Sequence, residues 1–190
     1  MKHCSRFAEL IGIYIGDGNL GRYPKCDYLR IYFNPNQKQY ISYVTDILVK
    51  QFGKRPYERF RKDSGNIGVV YLEISLKNLD DYFGLPIGNK IKNKIKIPSW
   101  IWKKDSYLKS CIRGIFDTDG SIYITGGKYR IVNFTSHNIE LLEDIYNALV
   151  ILGFNPYARH AGIELGRIAE VKKFFEIIKP KNRNHYRFDI

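Results

Sequence analysis

One nine-residue pattern occurs twice in this chain, as Leu10-Ile-Gly-Ile-Tyr-Ile-Gly-Asp17-Gly18 and as Ile112-Arg-Gly-Ile-Phe-Asp-Thr-Asp119-Gly120, with Asp119 lying 102 residues after Asp17. In a chain of 190 residues, repetition at that distance makes the molecule two copies of one half. Each copy is an apolar, helix-like run in which small residues recur four apart, Gly12 with Gly16 and Gly114 with Thr118. A helix face lined this way is nearly flat, and two such faces can pack backbone against backbone. The duplication extends further: Phe33 and Phe134 are 101 apart, and Gly53-x-x-Pro56-Tyr57-x-Arg59 returns as Gly153-x-x-Pro156-Tyr157-x-Arg159 at a spacing of 100. Drift of one or two residues is what loop insertions between duplicated halves produce.

An aspartate and a glycine close both runs, and the glycine is expected to take the left-handed conformation that often ends a helix. Packing the runs side by side then brings Asp17 and Asp119 together. Each carboxylate faces the negative end of a helix dipole, and each repels the other, so the pair is unfavourable unless a cation is shared. A hard divalent ion, Mg²⁺ above all, suits oxygen ligands of this kind and leaves positions open for phosphate oxygens. Asp-Gly alone is a common turn dipeptide; its recurrence behind two small-faced helices is what singles it out.

The charge balance fits a polyanionic partner. Thirty-one Lys and Arg against nineteen Asp and Glu give a net charge of +12, and in a folded domain such an excess marks nucleic acid binding, with a generally solvated basic surface as the alternative. With 44% hydrophobic and 15% aromatic residues, the chain can bury a core and is not a disordered basic tail. Cys4, Cys26 and Cys111 lack any Cys-x-x-Cys spacing, which argues for a reducing compartment and against a zinc site or disulfide framework. His3, His137, His160 and His185 show no ligand spacing. The N-terminal residues run straight into the first helix without a signal peptide, and no apolar run approaches the roughly 20 residues that cross a bilayer. A soluble, intracellular protein is expected, in a prokaryotic cytoplasm or an organelle.

From Tyr28 to Asn34 the residues alternate strictly, with Tyr28, Arg30, Tyr32 and Asn34 on one face and Leu29, Ile31 and Phe33 on the other. Tyr71, Glu73 and Ser75 against Val70, Leu72 and Ile74 repeat the alternation, and Ser121, Tyr123 and Thr125 oppose Ile122 and Ile124. Antiparallel sheets can keep one face solvated, and a β-ribbon fits the major groove, so the polar faces are candidate readers of bases. Tyr57, Arg59 and Arg61, with Tyr157 and Arg159, place aromatic and basic groups at period two; an ordinary solvated strand would look the same, and the duplication is what selects them. From Pro86 to Lys104 the chain has six Lys and no acid, and Ile97-Pro98 resists helix. It reads as an extended basic linker, with Lys92 suited to a phosphate backbone.

In these motifs the chain resembles the LAGLIDADG homing endonucleases, in the single-chain form with two motifs; Leu10 to Gly18 and Ile112 to Gly120 occupy the nine motif positions. The resemblance implies an α+β fold of two pseudo-twofold αββαββα halves, the motif helices packed at the centre through Gly12, Gly16, Gly114 and Thr118, and two antiparallel sheets forming a DNA-binding saddle. The halves span 1–88 and 107–190, joined by a linker at 89–106. It implies metal binding by Asp17 and Asp119, the eighth motif positions. At the sixth position Ile15 replaces an acid while Asp117 keeps it, and that position is usually structural. A lysine from each half is expected near the active centres, with Lys90 and Lys181 the candidates and Lys94, Lys96 and Lys179 behind them. His137, beside Ser136, lies near a water-organising position, although a lone surface histidine is the preferred reading. The implied activity is Mg²⁺-dependent cleavage of both strands of a long, nearly palindromic DNA site by a monomer encoded in an intron, with Mn²⁺ able to substitute and Ca²⁺ supporting binding without efficient cleavage. Two sheets would cover on the order of 20 base pairs. The alternative is a cleavage-inactive nucleic-acid-binding protein of the same fold, a maturase-like RNA splicing helper or a DNA-binding regulator. An intein is disfavoured, since the chain opens with Met1 and ends without splicing residues.

Overall fold

Two helices whose middle turns are buried organise the molecule. In α1 (Ser5–Asp17) every residue from Phe7 to Gly16 is buried, and in α4 (Asp105–Asp119) Leu108, Cys111, Ile112, Ile115 and Phe116 are buried. A helix buried on all sides has to sit at the centre of a fold, and α1 and α4 pack against each other there. The small residues set their separation. A β-carbon at Gly12 would stand 3.0 Å from Ile115 N and closer still to Cys111 O, and one at Gly114 would stand 2.7 Å from Ile13 N. At Gly16 the neighbour is the Thr118 side chain, whose hydroxyl is turned back onto Gly114 O at 2.9 Å and Ile115 O at 3.0 Å.

The computed structural model describes residues 3–62, 68–127, 129–160 and 162–183. After α1 come β1 (Gly18–Tyr23), β2 (Cys26–Phe33), α2 (Lys38–Phe52), β3 (Tyr57–Lys62), β4 (Gly68–Leu76) and α3 (Leu79–Phe83). A 3-10 turn at Ile101–Lys103 leads into α4, followed by β5 (Gly120–Thr125), β6 (Tyr129–Thr135), α5 (Ile139–Ile151), β7 (Tyr157–Arg159), β8 (Gly162–Leu165) and α6 (Ile168–Ile178). The two antiparallel sheets, β1-β2-β4-β3 and β5-β6-β8-β7, share one strand order, so the halves repeat as the duplication predicts, and each is αββαββα as the resemblance implies. Alternation decides their faces: Leu29, Ile31, Phe33, Leu72 and Ile74 are buried, as are Val132, Phe134, Ile163 and Leu165. Among the described residues no helix is long and apolar enough to cross a membrane.

Two expectations are corrected. Gly18 and Gly120 are not left-handed, with φ/ψ of −87°/159° and −73°/160°. Each motif helix passes directly into a strand without a turn, and glycine is needed because a β-carbon would meet the preceding helical turn, at 2.7 Å from Tyr14 O or 2.6 Å from Phe116 O. Left-handed glycines do stand at Gly53, which ends α2, and at Gly153, which follows α5, with φ of 70° and 82°. The basic stretch 89–106 is not free extended chain either. Its lysines alternate with isoleucines, and Ile95, Ile97 and Ile101 are buried. Asn138 donates to Ile95 O at 2.7 Å, and Ile97 N donates to Asp144 at 2.7 Å. Lys94 pairs with Glu140 at 2.8 Å, while Lys92 and Lys96 remain exposed.

Candidate metal and nucleic-acid site

Asp17 and Asp119 are the last residues of the paired helices α1 and α4, so the glycine contacts between those helices bring the carboxylates together. Both side chains reach solvent, yet protein displaces water on most sides. That desolvation, and then the charge of Asp119, pushes the Asp17 carboxyl up to about 6, against the pull of Lys90. Desolvation also raises Asp119, again opposed by Lys90. The ammonium of Lys90 donates to Ile15 O at 2.7 Å, Tyr14 O at 3.2 Å and Gly16 O. It thereby caps the negative end of α1 while standing beside both carboxylates. Burial lowers its own pKa, and the two aspartates resist that. A cavity of about 250 Å³ opens here, with Lys90, Asp119, Ser136 and His137 in its wall.

The donors suit a hard cation. Two mutually repelling carboxylates offer only oxygen, and among the described residues no group of three or more His, Cys, Asp or Glu side chains gathers anywhere. An ion held by Asp17 and Asp119 would keep most of its coordination for water and phosphate, as Mg²⁺ does.

Lys181 is placed differently from Lys90. Its ammonium lies 5.9 Å from the Tyr43 ring centre and its charge acts on Glu9, whereas the cation that acts on Asp17 and Asp119 is Lys90. The backbone explains the difference. Asp117, fully buried, accepts from Lys181 N at 2.9 and 2.8 Å and from Asn182 N at 3.0 Å. Burial still pushes its carboxyl up to about 7, these hydrogen bonds opposing. Asn182 Nδ2 donates to Asp117 O at 2.8 Å, the role Lys90 plays at Ile15. A second group absent from the sequence reading joins the halves: Glu9 pairs with Arg113 at 3.1 Å, accepts from Tyr43 OH at 2.6 Å, and Arg113 Nε donates to Ile178 O at 2.6 Å.

The outward sheet faces carry the expected side chains. Tyr57, Arg59 and Arg61 are exposed along β3, as are Tyr157 and Arg159 on β7, Ser121 and Thr125 on β5, and Asn34 just past β2. Tyr28, Tyr32, Tyr71, Ser75 and Tyr123 are half-buried. Arg30 and Glu73 are the exceptions. Glu73 is buried and holds Arg30 Nε at 2.6 Å, and the guanidinium lies 4.3 Å from the Tyr28 ring centre and 5.2 Å from that of Tyr71. Arg30 is thus engaged by its own sheet, because it faces Glu73 directly across β2 and β4. Sequence reading passed over Asn133 and Glu164 on the second sheet, where β8 is only four residues long and offers no readable alternation.

Residues 106–179 match the family model described as LAGLIDADG-like domain. The whole chain superposes on the homing endonuclease I-WcaI bound to its DNA recognition sequence, with a TM-score of 0.67 at 16% identity, covering 100% of this chain and 90% of that one. I-DmoI in complex with DNA and Mn gives 0.59 at 18% identity, covering 92% and 96%. The LAGLIDADG meganuclease I-AabMI bound to uncleaved DNA gives 0.53 at 11% identity, covering 95% and 86%. Among curated proteins the chain is 24% identical over 203 residues to the replication factor C small subunit of Methanocaldococcus jannaschii, over 96% of this chain. It is 26% identical over 154 residues to the tRNA-splicing ligase RtcB of Methanopyrus kandleri, over 72% of this chain. The chain spans only 10% and 15% of the length of those two proteins.

Proposed function

We propose that this chain, which carries a LAGLIDADG-like domain and has the fold of the single-chain homing endonucleases, is a site-specific DNA endonuclease that hydrolyses both strands of its target with a divalent metal, Mg²⁺ in the first instance. The observation that carries the reading is the Asp17/Asp119 pair, held together by a glycine-lined helix contact and placed next to Lys90. Mn²⁺ would substitute, since the I-DmoI structure was obtained with Mn. The metal supplies activation of the attacking water and stabilisation of the leaving oxygen. Asp17 and Asp119 would hold it. Lys90 contributes positive charge to the same space, and the exposed Tyr, Arg and Lys92 side chains hold the duplex across both sheets, Arg and Lys by phosphate contact or guanine edges. The protein would act as a monomer, both halves being present in one chain.

The test is a pair of isosteric variants. Asp17→Asn and Asp119→Asn should each reduce double-strand cleavage in Mg²⁺ by at least a hundredfold while target affinity in Ca²⁺ stays within a few-fold of the parent. A parent that binds a defined site tightly and cuts neither strand in Mg²⁺ or Mn²⁺ would overturn the assignment and leave a DNA-binding protein of this fold.

A further inference from the structure

Each sheet carries one buried glutamate on its outward face at a matching place, Glu73 opposite Tyr57 and Glu164 opposite Tyr157. What stands on the other side differs. β2 presents Arg30 to Glu73, whereas β6 presents Asn133 to Glu164. Glu73 is closed by Arg30 at 2.6 Å. Glu164 is 6% exposed and takes a hydrogen bond from Tyr123 OH on Oε1 at 2.8 Å. Tyr157 also turns its hydroxyl toward it. Its Oε2 has no hydrogen-bond partner among the described residues, and Arg159 Nη1 stands 4.0 Å away. Asn133 Oδ1 beside it is unpartnered as well.

In front of these groups lies a cavity of about 330 Å³ lined by Asn133, Thr135, Arg159, His160, Gly162 and Glu164. It stays open because position 162 is glycine, where a β-carbon would stand 3.0 Å from Asn133 Oδ1 and 3.1 Å from Phe134 O. Ser136 and His137 form a wall shared with the cavity at Lys90 and Asp119, so the pocket borders the candidate metal site. A buried acceptor without a donor is costly, and a ligand that brings a donor recovers that cost. The Arg159 side chain is 65% exposed, so a ligand in the cavity can reach it while it stands over Glu164.

We infer that Glu164 and Arg159 read a single C·G base pair of the DNA target, the cytosine N4 amine donating to Glu164 and the guanine O6 and N7 accepting from Arg159. The inference rests on the endonuclease reading above. A carboxylate accepting from cytosine N4 and an arginine spanning guanine O6 and N7 are the pairings that major-groove geometry favours. An A·T pair fits less well. Adenine sets the N7 acceptor beside its amine, against the carboxylate, and thymine offers Arg159 one oxygen and a methyl group. The first sheet has no such reader, because Glu73 is already neutralised.

The experiment is selection of bound sites from a randomised duplex library in Ca²⁺, where cleavage is not required, with the parent, Glu164→Gln and Arg159→Ala, and a melting curve for each. The parent should enrich C·G at one position of the half-site under the second sheet. Glu164→Gln, folded with a parental melting temperature, should lose that preference about tenfold or more, Arg159→Ala should lose it at the same position, and other positions should keep theirs. A parent that enriches a site whose every position is unchanged in both variants would overturn this inference alone. A parent that enriches no sequence would overturn the endonuclease reading together with it.

Discussion

Replacing Gly12 by alanine sets two effects of opposite sign against each other. In a helix interior alanine is better than glycine by about 1 kcal/mol, so propensity alone would stabilise the variant. The new methyl group, however, would stand 3.0 Å from Ile115 N and nearer to Cys111 O. These are backbone atoms of α4 and have no rotamer through which to yield, so the helices must part. Overpacking of a tight site costs about 1–3 kcal/mol, and parting also loosens the contacts of Ile11, Ile112 and Ile115, all buried, whose dispersion energy depends on close approach. The net expectation is a loss of about 1–2 kcal/mol. At about 2–4 °C per kcal/mol for a chain of this size, the melting temperature in metal-free buffer should fall by about 2–8 °C. Gly114→Ala should behave alike, since it meets Ile13 N at 2.7 Å, whereas Gly16→Ala should lose less because its nearest atoms belong to the Thr118 side chain. Scanning calorimetry on the three variants decides the matter. A rise of 2–4 °C in Gly12→Ala would mean that propensity governs and that the helices do not touch through their backbones.

Three further outcomes follow from the charges. The folded-state carboxyl of Asp17, pushed up to about 6 by desolvation and by Asp119, lies above its unfolded value, so its contribution is fully present below about pH 4 and is lost as pH rises through 6. Metal-free parent should therefore lose melting temperature relative to Asp17→Asn between pH 4 and 7, and Ca²⁺ should raise the parent's more at pH 7.5 than at pH 5; parallel pH curves for the two proteins would refute the mutual repulsion. Arg30→Ala strands Glu73, which is 8% exposed, and breaking such a pair should cost about 2–4 kcal/mol; an unchanged urea midpoint would show that Arg30 is free for DNA after all. Lys90→Met removes the cation that holds both aspartates down, so cleavage should slow and the acidic limb of its pH profile should move upward, and a profile identical to the parent's would exclude Lys90 from the site.

What could be read in advance was whatever repeats with a fixed period. The motif helices, their small faces and the outward faces of β2, β3 and β4 follow from spacing, whereas the αββαββα order came only with the family resemblance that the motifs carry. Backbone detail was less legible: Gly18 and Gly120 are needed for closeness to Tyr14 and Phe116, which the local sequence does not display, and so they were expected to be left-handed. Partnering was legible least. That Arg30 is held by Glu73, 43 residues away, depends on the register of β2 with β4, and that register is set by the whole core. Lys90 reaches α1 across 75 residues, and no local pattern separates it from the other lysines of the same stretch.

The halves also diverge in a way that residue-by-residue comparison hides. At Ile15 and Asp117, the sixth motif positions, the chain that follows the last helix of each half must be fastened to the motif helix. In the first half a side-chain ammonium, Lys90 Nζ, donates to Ile15 O at 2.7 Å. In the second half Asn182 Nδ2 donates to Asp117 O at 2.8 Å, and the Asp117 side chain takes the backbone amides of Lys181 and Asn182. The helix carbonyl is satisfied both times, as a helix end requires, but one half does it with a cation and the other with an amide and a buried acid. Isoleucine at position 15 therefore costs the fold nothing, because its tether comes from outside the motif. The same logic accounts for Lys90 having no counterpart among the described residues beside the carboxylates: in the second half the place is filled by Asn182, and the ammonium of Lys181 is turned toward Tyr43 and Glu9.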